Sequence, residues 1–168
     1  ILEITGQAKE LELVNKTIRL LGLKDAVRVM RDVNDEERRV LFADARALLN
    51  LSRSEGFGFP IIEAQLSNLP VVIADSGALP EIAGEQGAVL VDPDNEEQIV
   101  SHLDRVLTSD NLRAYLIENG RKNAETYGWP RTVSEMVQIY ELLFYQRNQV
   151  DLPQRRNLST RVIEWLPF

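Results

Sequence analysis

Residues 47–74 read ALLNLSRSEGFGFPIIEAQLSNLPVVIA, and the succession of patterns in them decides the architecture. Ala47–Leu51 is a short apolar run of the kind that forms a buried strand, and SRSEGFGF after it is loop. Pro60 stands where a helix's first residue belongs, because that position needs no amide proton. Pro60–Asn68 continues as helix, and Pro70–Ala74, apolar and β-branched, is the next strand. A strand, a crossover helix and a second strand in so short a span make a βαβ unit, whose strands run parallel.

The same alternation extends in both directions. Leu2–Thr5 reads as a strand ending at Gly6. From Lys9 to Leu21 apolar residues recur at helical period (Leu11, Val14, Ile18, Leu21), with Gly22 as the stop. Val27–Met30 is a strand. Asn34 and Glu37 have the spacing of an N-cap and its returning partner, so Asp35–Phe42 is expected to be helical. Downstream, Pro80–Ala83 suits one helical turn, Ala88–Val91 a further strand, and Asn95–Leu107, Asp110–Tyr127 and Trp129–Tyr145 three amphipathic helices. The sequence therefore predicts an α/β domain of Rossmann-like, doubly wound type, its mostly parallel sheet covered by helices on both faces.

This domain is expected to span residues 1–145. From Gln146 the character changes: Arg147, Arg155, Arg156 and Arg161 face only Asp151 and Glu164, and the chain ends in Trp165–Phe168. Residues 146–168 are expected to form a tail that packs as an extension; contact with a partner or a membrane surface is the sharper alternative. The opening ILEITG has the look of a buried strand with no initiator Met, and implies a fragment whose upstream part is absent.

The 168 residues are 44% hydrophobic and 27% charged, which suits a globular core and excludes a disordered or collagenous chain. A net charge of −7 argues against nucleic acid as partner, although backbone amides can still bind a small anion on an acidic protein. The lack of cysteine removes disulfides, thiolate nucleophiles and Cys-ligated zinc, and accords with a cytoplasmic location. No apolar run approaches the roughly 18–20 residues of a membrane-spanning helix.

The candidate site is the loop 52–59 and the start of the helix after it. Ligands of open α/β sheets sit beyond the carboxyl ends of the strands, where loops lead into helix N-termini. Gly56 and Gly58 let the backbone approach a ligand closely. The amides of Gly58, Phe59, Ile61 and Ile62 fall at or just before the helix start, where donors are unpaired and the dipole is positive. A diphosphate fits that field. Glu55 and Glu63 flank it; on one continuous helix they would be about 12 Å apart in rise, but here Glu55 ends the strand side and Glu63 is expected in the helix's first turn. Carboxylates repel phosphate yet accept well from vicinal hydroxyls, so the set suits a sugar–diphosphate–ribose ligand. The structural alternative is that Glu63 only favours the helix N-terminus and Glu55 is solvated.

The run SRSEGFGFPIIEAQLSNLPVVIADSGALPEIAGEQGAVLVDPDN resembles the nucleotide-binding, C-terminal half of retaining GT-B glycosyltransferases, the "glycosyl transferases group 1". Glu55…Glu63 matches their Glu-x7-Glu signature. NDEERRVLFADA resembles the helix before the motif strand, LPVVIADSGALPEIAG the strand and Gly-x-x-Pro-Glu turn, and YGWPRTVSEMVQIYELL the Phe/Tyr-x-Trp helix; the likeness covers roughly Leu2 to Tyr145. It implies transfer of a sugar from a nucleotide-sugar donor to an acceptor hydroxyl with retained configuration. By the resemblance, Glu55 contacts the donor sugar as the catalytic carboxylate and Glu63 the ribose. Backbone amides of Gly56, Phe57, Gly58 and Phe59 would hold the diphosphate, and Arg31, Asp32 and Val33 would lie near the base. Relatives usually carry Gly after that strand where this chain has Arg31. The SGALPEIAGEQGAVLVDP stretch is similar to bacterial mannosyltransferases of the family, which favours a GDP-linked over a UDP-linked donor.

The resemblance also implies an acceptor-binding N-terminal domain and a first strand–helix unit with basic residues, none of which this chain contains, so the chain alone is expected to be inactive. No cofactor or metal is required by this chemistry. Asp92–Asp94 is read as a turn and cap rather than a metal site, Glu81 as structural, and the single histidine, His102, as a surface residue. Two rival readings are a glycoside hydrolase, which also uses paired carboxylates, and a nucleotide-sugar-binding module without catalysis. A dinucleotide-dependent oxidoreductase is disfavoured, since no G-x-G-x-x-G follows the first strand.

Overall fold

The computed structural model describes residues 2–6 and 8–148; the expected tail beyond Asn148 lies outside the described residues. The chain divides into two compact units between Ala45 and Arg46. All described strand pairs are parallel, β1 with β2 in the first unit and β3–β4–β5 in order in the second.

In the first unit β1 (Leu2–Gly6) pairs with β2 (Val27–Arg31) in the register Leu2↔Val27 through Gly6↔Arg31. Between them runs α1 (Ala8–Leu20), which buries Leu11 and Ile18, two turns apart on one face. Gly22 stops it as expected: at φ 69° it is left-handed, its amide reaches Arg19 O at 3.4 Å, and Leu23 N donates to Ile18 O at 2.9 Å. These are the two bonds of a Schellman cap. Helix α2 (Asp35–Asp44) opens with both halves of the expected capping box: Glu37 N donates to Asn34 Oδ1 at 2.9 Å, and Asn34 N to Glu37 Oε2 at 2.9 Å. None of its residues is buried, so capping, acidic first-turn residues and exposed i,i+3 pairs (Arg38–Asp35, Arg39–Glu36) supply its local support.

The second unit is built on β3 (Leu48–Asn50), β4 (Val71–Ala74) and β5 (Val89–Val91), with Leu49↔Val72 and Ile73↔Leu90 marking the register. All four residues of β4 are fully buried. Since successive side chains alternate between faces, a wholly buried strand must be covered on both, which is the expected parallel-sheet arrangement. On one face Val72 and Val91 pack with Val106 of α5 (Glu96–Thr108) and Leu116 of α6 (Asp110–Ala124). The crossovers are α3 (Phe59–Leu66) and α4 (Leu79–Ala83). Helix α3 begins one residue earlier than expected, at Phe59, so Pro60 is its second residue. It ends in a Schellman cap whose left-handed residue is Asn68, at φ 56°. The last predicted helix pair is interrupted by a 3-10 turn at Glu125–Tyr127, after which α7 (Trp129–Asn148) runs past Tyr145.

Candidate functional site

The loop after β3 is tied down on its strand side and open on its helix side. Ser52 N donates to Asn50 Oδ1 at 3.0 Å, and Ser52 Oγ to Ser54 O at 3.2 Å. Ser76, in the loop after β4, donates its hydroxyl to Arg53 O at 2.9 Å. The Arg53 guanidinium forms a two-pronged pair with the Asp94 carboxylate after β5, Nη1 reaching Oδ2 at 3.0 Å. Three strand-end loops of one sheet thus converge on Ser52–Ser54, which fixes the approach to Glu55.

Beyond Glu55, which is half-buried, the protein recedes: nothing lies within 4 Å of where a Cβ on Gly56 would point. Gly56 itself is exposed. Phe57 packs against Phe59 with its ring tilted by 41° (centroids 4.7 Å apart) and meets Tyr127 edge-on at 5.8 Å, while Phe59 stays largely exposed. Gly58 is the N-cap of α3, with φ 94° and ψ 46°, and no side chain caps the helix. A Cβ at Gly58 would fall 3.0 Å from Leu79 Cδ2 and 3.3 Å from Ile61 Cδ1. Both the dihedrals and the packing demand glycine there.

The consequence is a set of unused donors. Among the described residues, the amides of Gly56, Phe57, Gly58 and Phe59 make no hydrogen bond to another protein group, and they precede or begin a helix whose dipole is positive at that end. Ile61, expected among the free donors, is not one: its amide closes onto Gly58 O at 3.0 Å. Glu63 is also placed differently from expectation. Because the helix starts at Phe59, Glu63 is its fifth residue, in the second turn and half-buried, and the first turn holds no acidic side chain. The reading that Glu63 merely favours the dipole loses its basis, since that effect fades beyond the first turn.

Arg31 closes β2 and is exposed, Asp32 is exposed and Val33 half-buried, all in the first unit. After β2 the left-handed residue is Asp32, at φ 51°, a residue type that tolerates this region. Asp92–Asp94 is the turn it was read to be: Asp94 N donates to Asp92 Oδ1 at 2.9 Å, and Asn95 caps α5 by accepting from Gln98 N at 3.0 Å. His102 is half-buried rather than on the surface, its Nδ1 2.9 Å from Gln98 O.

The family whose model matches residues 1–123 is described as "Glycosyl transferases group 1". The chain belongs to that family. Among curated relatives it is 36% identical over 129 residues to an MMP alpha-(1->4)-mannosyltransferase of Mycolicibacterium hassiacum, covering 75% of this chain and 31% of that protein. It is 33% identical over 117 residues to O-antigen chain mannosyltransferase B of Escherichia coli, covering 70% and 30%. The chain thus spans about a third of the length of these curated relatives. Its fold matches sucrose-phosphate synthase of Thermosynechococcus elongatus with a TM-score of 0.76 at 23% identity, over 86% of this chain and 38% of that one. HepE of Anabaena, solved with UDP and glucose, matches with a TM-score of 0.70 at 22% identity, over 84% and 39%. These neighbours share the GT-B glycosyltransferase fold.

Sequence reasoning overlooked the groups that hold α3 in place. Gln65 is 2% exposed; its Nε2 donates to Ala83 O at 2.9 Å and Gly87 O at 3.1 Å, and its Oε1 accepts from Asn123 Nδ2 at 2.9 Å. Asn123 Nδ2 also donates to Ile82 O at 2.8 Å. Gly84, Gly87 and Gly120 make room for this pair: a Cβ would fall 2.6 Å from Asn123 Oδ1, 2.1 Å from Ala83 O and 3.0 Å from Gln65 Cγ respectively. The available signal was Gln65 standing four residues after Ile61, on the same apolar helix face.

Proposed function

We propose that this chain supplies the donor-binding half of a retaining glycosyltransferase that uses a nucleoside-diphosphate sugar, GDP- or UDP-linked. The observation that carries the reading is the run of unbonded amides from Gly56 to Phe59, opened by left-handed Gly58 and set between Glu55 and Glu63. The amides take the diphosphate, Glu55 the donor-sugar hydroxyls and Glu63 the ribose hydroxyls. The names of relatives and neighbours support a nucleotide-sugar donor: two of the relatives are mannosyltransferases, and HepE is solved with UDP.

As the bond from the sugar's anomeric carbon to the diphosphate oxygen breaks, its electron pair stays on that oxygen. Negative charge grows on the phosphate, and fixed amides at a helix start stabilise it without reorganising; losing one such donor costs about 3–4 kcal/mol. The Glu55 carboxylate, held by the tied Ser52–Ser54 segment, orients the sugar whose anomeric carbon takes the acceptor oxygen, and the acceptor hydroxyl's proton passes to the departing diphosphate oxygen. Charge is met by the amides, and the scheme calls for neither metal nor organic cofactor. A cytoplasmic enzyme, peripheral to the inner face of a membrane, fits this reading; none of the described helices is long and apolar enough to cross a membrane.

Acceptor binding belongs to an N-terminal domain outside these 168 residues, so this chain alone should bind nucleotide and transfer nothing. The test assays the chain and the longer protein containing it with UDP- and GDP-linked sugars, reading the anomeric configuration of any product. Turnover by the chain alone overturns the division of labour, and an inverted product overturns retention. Nucleotide binding without transfer by the longer protein points to an inactive module, and cleavage of a simple glycoside to a hydrolase. A thermal-shift panel of UDP, GDP and ADP reads the base, since a ligand at 100 times its Kd adds about 2.7 kcal/mol.

A further inference from the structure

The short helices α3 and α4 are joined at both ends. At the loop end, Gly58 lies so close to Leu79, the first residue of α4, that a Cβ would be 3.0 Å from its Cδ2. At the far end, Gln65 of α3 holds Ala83 O, on the last residue of α4, and Gly87 O beyond it. Asn123 ties both helices to the end of α6 by bonding Gln65 Oε1 and Ile82 O. Four residues past Asn123, Tyr127 packs its ring edge-on against Phe57 of the loop. Two routes therefore run from the buried amide pair to the loop amides, one through α4 to Gly58 and one through the 3-10 turn to Phe57.

The chemistry of the pair suits a rigid clamp. The Gln65 amide uses both N–H donors and its carbonyl inside the protein, and among the described residues no buried side-chain polar atom lacks a partner. An apolar side chain of equal size would fill the space but leave buried carbonyls unsatisfied, which close packing cannot absorb without a shift. The glycine contacts at Gly84 and Gly87 after α4 and at Gly120 in α6 leave that shift little room around the pair.

We propose that Gln65 and Asn123 are positioning residues that set the geometry of the Gly56–Phe59 amides and, through it, the grip on the donor diphosphate. The affinity part rests on the nucleotide-sugar reading; the geometric part does not. The test compares Gln65→Met and Asn123→Ala with Val106→Ala, a truncation in the fully buried cluster on β4 and β5. Each variant is studied below its melting temperature by two measurements: backbone amide NMR shifts of Gly56, Phe57, Gly58 and Phe59, and the Kd for UDP and GDP.

Displaced loop resonances and an affinity weakened about tenfold or more, a change of roughly one hydrogen bond's net worth, are expected for Gln65→Met and Asn123→Ala. Val106→Ala should lower the melting temperature yet leave both readouts as in the parent. Loop shifts and Kd unchanged in the first two variants, or changed equally in all three, overturn the proposal. If Gln65→Met does not fold, the half-buried Asn123→Ala carries the test. If the parent binds no nucleotide, the nucleotide reading fails, while the loop shifts still decide the positioning role.

Discussion

The turns β3→α3 and β5→α5 occupy equivalent places, each leaving the carboxyl end of a strand in the same sheet and entering a helix, yet they treat their amides oppositely. After β5, Asp92 N donates to Gln98 Oε1 at 2.7 Å, Asp94 N to Asp92 Oδ1 at 2.9 Å, Asn95 N to Asp92 O at 3.0 Å and Gln98 N to Asn95 Oδ1 at 3.0 Å. Pro93 has no amide proton to satisfy. After β3, the N-cap is a glycine without a side chain, and among the described residues the amides from Gly56 to Phe59 take no protein partner. A helix start becomes an anion site when its sequence withholds Asn, Asp, Ser and Thr from the cap; the dipole is present at both turns and does not discriminate between them.

The change that most strongly breaks this contrast is Gly58→Ala. The left-handed backbone costs an ordinary residue roughly 1–2 kcal/mol, and the new methyl must also displace Leu79. A loss of about 2–3 kcal/mol in urea denaturation is expected, accompanied by weaker UDP or GDP binding in titration calorimetry. Gly56→Ala is the matched control: its Cβ meets open space and its φ is not left-handed, so stability should stay within about 0.5 kcal/mol. Equal costs at the two glycines would refute the reading of Gly58.

Glu63→Gln sharpens the comparison within the open turn. A hydrogen bond to a charged group contributes roughly 1.5–3 kcal/mol, so nucleotide affinity should fall about tenfold or more. Inorganic pyrophosphate, which has no ribose, should bind unchanged. If pyrophosphate weakens equally, Glu63 acts on the diphosphate or on the helix rather than on sugar hydroxyls.

The two turns also differ in how far the sequence discloses them. Asn34 with Glu37, and Gly22 after Leu21, announce their caps because cap chemistry is local, and both form as read. The β5 turn is legible for the same reason. At the β3 turn, Gly56 and Gly58 look alike in the string EGFG, and only the packing of Leu79 and Ile61 separates a permitted glycine from a required one. Pro60 fits the first or the second helical position, and that one-residue freedom moved Glu63 from the first turn to the second. Gln65 was invisible because its partners, Ala83, Gly87 and Asn123, are 18 to 58 residues away. The alternation that specifies the fold is local; the clamp that holds the loop is not.

Asn95→Ala tests the closed turn. Removing an Asn cap costs typically about 1 kcal/mol, and the loss should appear in denaturation with no change in nucleotide affinity, because the bond removed is the one from Gln98 N within the α5 turn. An affinity change matching that of Gly58→Ala would mean the two turns act on one ligand.

The smallest effect is expected where the two turns touch. Arg53 and Asp94 form a two-pronged pair, but their side chains are 66% and 65% exposed, so water and salt screen most of the attraction. Asp94→Asn keeps the shape and removes the charge; it should change stability by less than about 1 kcal/mol, and less still in high salt. Its informative readout is the loop rather than the melting curve. Arg53 O is also held by Ser76, so the Ser52–Glu55 approach has a second tether that does not depend on charge. The double variant Asp94→Asn with Ser76→Ala should therefore weaken nucleotide binding by more than the two single changes combined. Simple additivity in a double-mutant cycle would show that the tethers act independently and that neither stands in for the other.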